Sequence, residues 1–357
     1  MSSHFHSLTI TDLRRETADA VSVRLGVPDE LKSAFRYKAG QHLTLRATVA
    51  GEELRRNYSI CAAPQEGELR IAIKRITDGR FSSWANSALE IGQTIEVMTP
   101  AGSFTWGFSP KAANHYVAFA GGSGITPILS LLKTALTEEP NSSFTLFYGN
   151  RDAGSIIFLE ELARLKDSFL SRLRVHHVLE LEQDEIDLFN GRLDQEKCAL
   201  LLDRMTETAE IAAFFICGPG PMMDAAEATL LERGVPKARI LIERFTADRP
   251  AAAMAAMESK ATEAAGLPMT LIIDGRRRSV PFDASKINIL DNARAAGLPA
   301  PFACKAGVCA TCRAKLVSGK VSMAANYSLS AEELALGYIL TCQSVPLTED
   351  VVIDYDV

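Results

Sequence analysis

Four cysteines near the C-terminus have a spacing that suits a metal centre. Cys304, Cys309 and Cys312 lie within the stretch "CKAGVCATC", and Cys342 follows in "YILTCQSVP". The pattern is C-x4-C-x2-C-x29-C. Zinc sites usually present paired C-x2-C knuckles, whereas three thiolates from one loop and a distant fourth are typical of a plant-type [2Fe–2S] cluster. The spacing therefore favours a [2Fe–2S] cluster, with a zinc site or a thiol switch as the alternatives.

The residues between these cysteines are small. Ala306, Gly307 and Ala310 would let the backbone N–H groups of the loop approach the inorganic sulfides. Two further cysteines, Cys61 and Cys198, are expected to be ordinary core residues.

A glycine-rich turn, "GGSGITP", offers a second kind of chemistry. Gly121, Gly122 and Gly124 stand between an apolar strand-like run and a helical pattern, with Pro127 in the first helical turn. Such a turn can hold a phosphate through backbone N–H groups and the helix dipole. Glycine turns also serve close packing, so this stretch alone leaves both interpretations open.

Composition restricts the class of protein that carries these motifs. The 357 residues are too many for one ordinary core and predict two or three domains. A net charge of −6 argues against nucleic acid as a partner. The basic run Arg276–Arg278 follows Asp274-Gly275 and is interpreted as a solvated hairpin turn. The absence of a long apolar run or a secretory pattern, and the odd number of cysteines, predict a cytoplasmic protein without a membrane partner.

The chain divides into segments that differ in residue composition and in apolar periodicity. Residues 1–109 contain short alternating strands punctuated by glycines, which predicts an antiparallel β-barrel. In residues 110–246 strands alternate with helices, which predicts an α/β domain with a parallel sheet and ligands at the carboxyl ends of its strands. Residues 247–267 are alanine-rich and are interpreted as a partly helical linker. Residues 268–357, which include the cysteines, are long enough for a separate small domain.

The motif "RNYS" resembles the R-x-Y-S/T flavin motif of the ferredoxin–NADP reductase superfamily. The resemblance implies that Arg56 binds a flavin phosphate, Tyr58 packs on the isoalloxazine and Ser59 hydrogen-bonds near flavin N5. "KRITDGRFSSWA" is similar to the second flavin segment, and "AGQHLTL" matches a further stretch except that Ala39 replaces the usual proline. The FAD-binding residues implied in this way are Arg56, Asn57, Tyr58, Ser59, Lys74, Gly79, Arg80, Phe81, Ser82 and Phe245.

The second segment resembles the nucleotide half of the same superfamily. "GGSGITP" corresponds to its pyrophosphate loop, "CGPGPMM" to its C-G-P-x-x-M segment and "ERF" to its acidic-x-aromatic ending. The NAD(P)-binding residues implied are Gly122, Ser123, Gly124, Thr126, Arg151, Cys217, Gly218, Pro219 and Met222. The catalytic residues implied are Ser59, Cys217 and Glu243.

The expected preference for NADPH over NADH depends on Arg151. This residue follows "FYGN" at a strand end where, by resemblance to the same superfamily, the 2′-phosphate of NADPH would sit, and its guanidinium fork suits that group. A solvated loop arginine is the alternative, and NADH remains possible.

Nearly the full length, except the linker, resembles the reductase components of multicomponent oxygenases. That resemblance implies a β-grasp ferredoxin domain with the cluster on Cys304, Cys309, Cys312 and Cys342. It further implies electron transfer from NADPH through FAD and the [2Fe–2S] cluster to a di-iron oxygenase component. Relatives of the same domain order serve aromatic-ring oxygenases, a ketosteroid hydroxylase or a hybrid-cluster protein. A non-enzymatic redox sensor or electron-carrier module is the other class of function, and the intact "RNYS" and "ERF" argue against it.

Overall fold

Residues 5–245 and 251–357 are described by the computed structural model. They form two units, one ending at Arg244 and the other built mainly from Phe245–Val357. The predicted barrel and the predicted parallel-sheet domain share the first unit, so the boundary between 1–109 and 110–246 stays a prediction.

The first half of that unit is an antiparallel six-stranded barrel. Its strands follow the order β4-β3-β6-β1-β2-β5, and a bridge between Ile60 and Ile71 joins the two ends. Alternating apolar residues such as Val21 and Val23 fill the interior, as the period of a half-buried strand requires. The elements are β1 (Phe5–Thr17), β2 (Ala20–Gly26), β3 (His42–Val49), β4 (Glu52–Ser59), β5 (Leu69–Lys74), helix α1 (Arg80–Ala88) and β6 (Thr94–Met98).

The second half of the unit is a parallel five-stranded sheet with interleaved helices. Its order is β11-β10-β7-β8-β9, so the chain reverses direction of winding between β7 and β10. Ligands bind at such a reversal, at the carboxyl ends of the strands. The elements are β7 (His115–Gly121), α2 (Ile125–Glu138), β8 (Ser143–Asn150), α3 (Leu159–Ser168), β9 (Leu173–Leu179), α4 (Gln195–Met205), β10 (Ile211–Cys217), α5 (Gly220–Glu232) and β11 (Ile240–Glu243).

The C-terminal unit contains a mixed sheet that confirms the predicted β-grasp fold. Its order is β13-β12-β18-β14-β16, with β12 and β18 parallel. A separate pair is formed by β15 and β17. The elements are α6 (Ala251–Glu263), β12 (Pro268–Ile273), β13 (Arg276–Pro281), α7 (Ile289–Ala295), β14 (Arg313–Ser318), β15 (Val321–Met323), α8 (Ala331–Ala335), β16 (Tyr338–Leu340), β17 (Ser344–Pro346) and β18 (Val351–Asp354).

The segment interpreted as a partly helical linker does contain a helix, and that helix packs on the C-terminal unit. From Ala251 it is helix α6, and Met257, Ala261 and Ala264 are buried in the same core as the strands of the C-terminal unit. These positions follow the i, i+4, i+7 spacing of one helix face. The alanine-rich run is therefore part of a packed unit rather than a free tether. Residues 246–250 of the predicted linker lie outside the described residues.

Three smaller predictions concern turns, cysteines and membranes. Asp274 and Gly275 both have positive φ and form the turn that joins β12 to β13, whereas Arg276–Arg278, predicted as part of the turn, are exposed at the start of β13. Cys61 and Cys198 are buried core residues, as predicted. Among the described residues, no helix combines the length and apolar character needed to cross a bilayer.

Candidate flavin, nucleotide and cluster sites

Strand β4 presents the "RNYS" residues with an unusual buried hydroxyl. Ser59 is 2% exposed, and its Oγ has no hydrogen-bond partner among the described residues. Buried hydroxyls are normally hydrogen-bonded, so this one suits a bound group with a donor or acceptor at the same place. The half-buried ring of Tyr58 lies 5.8 Å from the ring of Phe81, and burial raises the pKa of Tyr58, which keeps it protonated.

Of the other two residues of the motif, Arg56 is placed to bind a ligand and Asn57 stabilises the strand pair. Arg56 is exposed, with its guanidinium donating to the Arg55 carbonyl at 2.7 Å, and can reach a phosphate in solvent. The Asn57 Oδ1 accepts from the Thr44 hydroxyl at 2.9 Å across the β3–β4 pair. Asn57 therefore fixes the strand that carries Tyr58.

The second flavin segment builds a turn with its side chains. The Ser82 hydroxyl accepts from the Ile76 N–H at 3.2 Å and donates to the Gly79 carbonyl at 3.1 Å. Phe81 is 1% exposed in the barrel core, and Arg80 forms an ion pair with Glu52. Any phosphate contact made by this segment rests on the backbone N–H groups of the first turn of α1.

Lys74, the first residue of the second flavin segment, also lies beside the glycine turn of the nucleotide domain, and its predicted flavin contact stays a prediction. It ends β5 and lines a cavity of about 360 Å³ together with Gly122 and Arg151. Its Nζ lies 3.1 Å from the position that a Cβ on Gly122 would occupy. Burial, with Arg151 nearby, lowers the pKa of Lys74. Lys74 thus contributes its charge to the glycine turn of the nucleotide domain.

The cavity at the carboxyl ends of the strands is cationic on several sides. The guanidinium of Arg151 lies 3.6 Å from Asp19, and the Arg192 guanidinium pairs with Glu180. Arg192 was missed in the sequence because no motif marks the loop before α4. Of the predicted nucleotide residues, those that line the cavity are Gly122, Arg151, Pro219 and Met222.

The glycines of the two turns have different functions. A Cβ on Gly124 would lie 2.0 Å from the Cys217 carbonyl oxygen, and one on Gly121 would lie 2.6 Å from Pro219 Cδ. These glycines let the turn after β7 pack on the turn after β10. Gly122 has a φ of 50° and lines the cavity. Both interpretations of the stretch therefore apply, each to different residues.

The remaining residues of the two turns hold them together. The buried Thr126 hydroxyl donates to the Ser123 carbonyl at 3.0 Å at the start of α2. A Cβ on Gly218 would lie 2.9 Å from the backbone nitrogen of Gly121, so glycine is required where the two turns meet. The turn after β10 is thereby pressed against the glycine turn.

Several polar side chains lie close to one another where the barrel meets the parallel sheet. Cys217 and Glu243 are register partners at the ends of β10 and β11. The Glu243 Oε1 lies 3.8 Å from the Nδ1 of His42, and His42 is the β3 partner of Ser59. Burial, and the neighbouring Glu243 carboxylate, raise the pKa of Cys217 well above its ordinary value. Ser59 and Glu243, two of the three predicted catalytic residues, thus share one neighbour that was not predicted.

His42 is that missing residue. It is 3% exposed, inside the stretch "AGQHLTL", which the resemblance had already marked without assigning a function to the histidine. Its position opposite Ser59 depends on strand pairing between β3 and β4, which the local pattern could have indicated through the "VAGEE" turn between them.

Phe245 lies at the edge of the described residues. It is half-buried and belongs to the C-terminal unit. Its predicted contact with the flavin therefore stays a prediction.

The four cysteines of the C-terminal unit are arranged as two pairs. The Cys304 thiol lies within hydrogen-bond reach of Cys309, which together with burial raises the pKa of Cys304. The Cys312 thiol lies beside Cys342, which raises the pKa of Cys312 and lowers that of Cys342. In residues 5–245 and 251–357, no three His, Cys, Asp or Glu side chains are arranged to hold a single metal ion. Two pairs of thiolates suit two irons better than one zinc.

Polar N–H groups already approach these sulfurs. The Ala306 N–H donates to Cys304 Sγ at 3.3 Å, and the buried Gln343 Nε2 donates to Cys342 Sγ at 3.3 Å. The loop bends through positive φ at Lys305, Gly307 and Ala310. Hydrogen bonds to sulfur are among the factors that set the potential of an iron–sulfur cluster.

Comparison with protein families identifies three domains in this order. The model for the oxidoreductase FAD-binding domain matches residues 7–106, the oxidoreductase NAD-binding domain matches 119–228, and the 2Fe-2S iron-sulfur cluster binding domain matches 271–347. The three together cover most of the chain.

Individual relatives match over the whole length. The chain is 45% identical to one of the subunits of the 1,2-phenylacetyl-CoA epoxidase of Escherichia coli strain K12, over 99% of this chain and 98% of that one. It is 35% identical to the ferredoxin reductase component of 3-ketosteroid-9-alpha-monooxygenase of Rhodococcus rhodochrous, over 98% and 96%. Among solved structures, phthalate dioxygenase reductase matches with a TM-score of 0.59 at 25% identity, over 98% of both chains.

Proposed function

The chain belongs to the ferredoxin reductase family in which an FAD-binding, an NAD-binding and a C-terminal [2Fe–2S] domain follow one another, and from this premise we propose that it transfers electrons from NADPH to the di-iron oxygenase of a phenylacetyl-CoA epoxidase. It is an FAD- and NAD(P)-dependent oxidoreductase with an electron-transfer role. The electron acceptor, the preference for NADPH and the individual residue roles constitute the proposal.

The group formed by Ser59, His42, Cys217 and Glu243 carries the proposal. When bound, FAD accepts a hydride from the nicotinamide coenzyme and the [2Fe–2S] cluster carries single electrons. The unpartnered Ser59 hydroxyl is suited to hydrogen-bond the reactive edge of the flavin. The Cys217 thiol, with its raised pKa, stays neutral and would pack beside the nicotinamide. The Glu243 carboxylate and the His42 imidazole together can hold a proton at this buried place.

The remaining predicted site residues would bind and orient the flavin, the coenzyme and the cluster. Arg56 and the first turn of α1 would hold the flavin phosphates. Lys74 and Gly122 would hold the pyrophosphate of the coenzyme, since the ammonium lies beside the glycine turn. Cys304 with Cys309 and Cys312 with Cys342 would each hold one iron.

The preference for NADPH rests on the cations of the cavity. The side chain of Arg151 is 57% exposed and lies 3.6 Å from Asp19, so it can turn toward a 2′-phosphate. Lys74 adds positive charge to the same cavity, whereas the charge of Arg192 is balanced by its ion pair with Glu180. NADH binding would use the cavity without this contact.

The acceptor is proposed from the epoxidase relative at 45% identity. The ketosteroid monooxygenase relative at 35% supports a second candidate, a reductase for another multicomponent oxygenase. We place the activity in the cytoplasm because four of the seven cysteines are assigned to a cluster and the odd total does not suit a disulfide framework.

The test is coupled turnover with the purified epoxidase oxygenase component. We expect NADPH oxidation to be stimulated by phenylacetyl-CoA only when the oxygenase is present. Cys342→Ser, which removes a cluster ligand, should keep NADPH-dependent reduction of ferricyanide and lose the coupled reaction. Normal ferricyanide reduction without stimulation by phenylacetyl-CoA would refute the acceptor and leave the other oxygenases.

A further inference from the structure

A buried lysine on the first helix of the nucleotide domain joins that domain to the barrel. Lys133 of α2 is 7% exposed, and its Nζ lies 2.8 Å from Glu66 and 2.7 Å from Glu161. Glu66 belongs to the barrel segment that follows β4, whereas Glu161 belongs to α3 of the nucleotide domain. Burial opposes the charge on Lys133, but the two carboxylates outweigh it and its pKa is raised.

The same face of α2 makes two more contacts with this barrel segment. The buried Ser130 hydroxyl donates to the Ala62 carbonyl at 2.6 Å, and Gln65 hydrogen-bonds Glu138 at the end of the helix. Thr126, Ser130 and Lys133 follow the i, i+4, i+7 spacing of one helix face. The helix is therefore attached along its length to the barrel.

The two attached pieces carry the two halves of the proposed hydride-transfer site. The barrel segment begins immediately after Ser59, and α2 begins immediately after the glycine turn with Thr126 in its first turn. A shift of α2 on the barrel would move the nicotinamide-binding turn relative to Ser59. Hydride transfer is sensitive to misplacement of reacting atoms by about 1 Å.

We infer that Lys133 is a positioning residue for hydride transfer, which acts by fixing helix α2 on the barrel through Glu66. The inference rests on the proposed function, since it assumes that NADPH reduces a flavin between these two domains. No flavin or nucleotide motif contains Lys133 or Glu66. Glu161 orients the lysine from within the nucleotide domain, and its hydrogen bond is made to Lys133.

Lys133→Met is a suitable variant because Glu66 and Glu161 keep 40% and 30% of their side-chain surface in solvent. Removing the ammonium therefore does not strand a fully buried charge. In stopped-flow experiments on protein with full FAD and cluster content, we expect the limiting rate of flavin reduction by NADPH to fall about ten-fold or more. The dissociation constant of NADPH should change less than about three-fold, because the coenzyme cavity is intact. Lys133→Arg should recover part of the rate.

The two carboxylates provide the matched comparison. Glu66→Gln breaks the contact between the domains and should slow flavin reduction, whereas Glu161→Gln leaves that contact in place and should not. Lys166→Met, on the exposed surface of α3, is the control for loss of a lysine. A wild-type rate in Lys133→Met, or equal slowing by Glu66→Gln and Glu161→Gln, would overturn the inference. If neither NADPH nor NADH reduces the flavin of the wild type or of Lys166→Met, it is the proposed function that fails.

Discussion

At the scale of residues, the proposed chemistry depends on a few side chains whose environments differ from the ordinary. Ser59 has a buried hydroxyl without a partner among the described residues, and Cys217 has a thiol kept neutral by burial and by Glu243. Their types and motifs were visible in the sequence. The connection between them through His42 was not, because it arises from pairing of β3 with β4 and from the approach of β11.

Arg151 provides the prediction at this scale. Arg151→Ala should lower kcat/KM for NADPH by about 10- to 100-fold, the worth of a charge-assisted hydrogen bond to phosphate, and leave NADH nearly unchanged. Arg174→Ala, an exposed arginine of β9, is the control and should alter neither value. Steady-state kinetics with both coenzymes measures the effect. An unchanged ratio of NADPH to NADH efficiency in Arg151→Ala would make this residue a solvated loop arginine.

At the scale of elements, the glycine turns after β7 and after β10 pack closely on each other. This packing is as important as their proposed binding function. Gly124 faces the Cys217 carbonyl so closely that its Cβ would lie 2.0 Å from the oxygen. The neighbour is backbone, which cannot rotate away as a side chain can. The turns therefore depend on each other for their positions.

Gly124→Ala should destabilise the unit that contains the nucleotide domain. Overpacking costs about 1–3 kcal/mol, which for a unit of this size corresponds to a fall of roughly 2–12 °C in the midpoint of its thermal transition. Gly107→Ala is the matched control, since a Cβ there meets nothing within 4 Å. Calorimetry of the FAD-loaded protein measures both variants. A midpoint for Gly124→Ala equal to that of Gly107→Ala would contradict the packing argument.

The elements also show how far sequence patterns reach. The barrel strands, the βα alternation and the β-grasp domain follow from local periodicity and from the resemblance. Helix α6 was interpreted as linker because alanine gives a weak apolar signal, although Met257, Ala261 and Ala264 share one face. The resemblance places Lys74 at the start of the second flavin segment. Only the fold brings the end of β5 next to Gly122. Tertiary proximity of this kind leaves no local pattern.

At the scale of the whole molecule, each unit carries one redox site. The first unit holds the proposed flavin and NADPH sites, and the second holds the paired cysteines. The division separates a reaction that moves electrons in pairs from one that moves them singly. Coupling the two is the function expected of a reductase component that supplies an oxygenase.

The most direct test is an anaerobic titration of the FAD- and cluster-loaded protein with NADPH, followed by visible absorbance and electron paramagnetic resonance. We predict that the flavin and cluster absorbances both bleach, with a reduced-cluster signal, and that about 1.5 equivalents of NADPH suffice, because FAD takes two electrons and the cluster one. Cys342→Ser should bleach at the flavin band alone. A wild-type protein whose flavin bleaches while the cluster stays oxidised under excess NADPH would contradict the account.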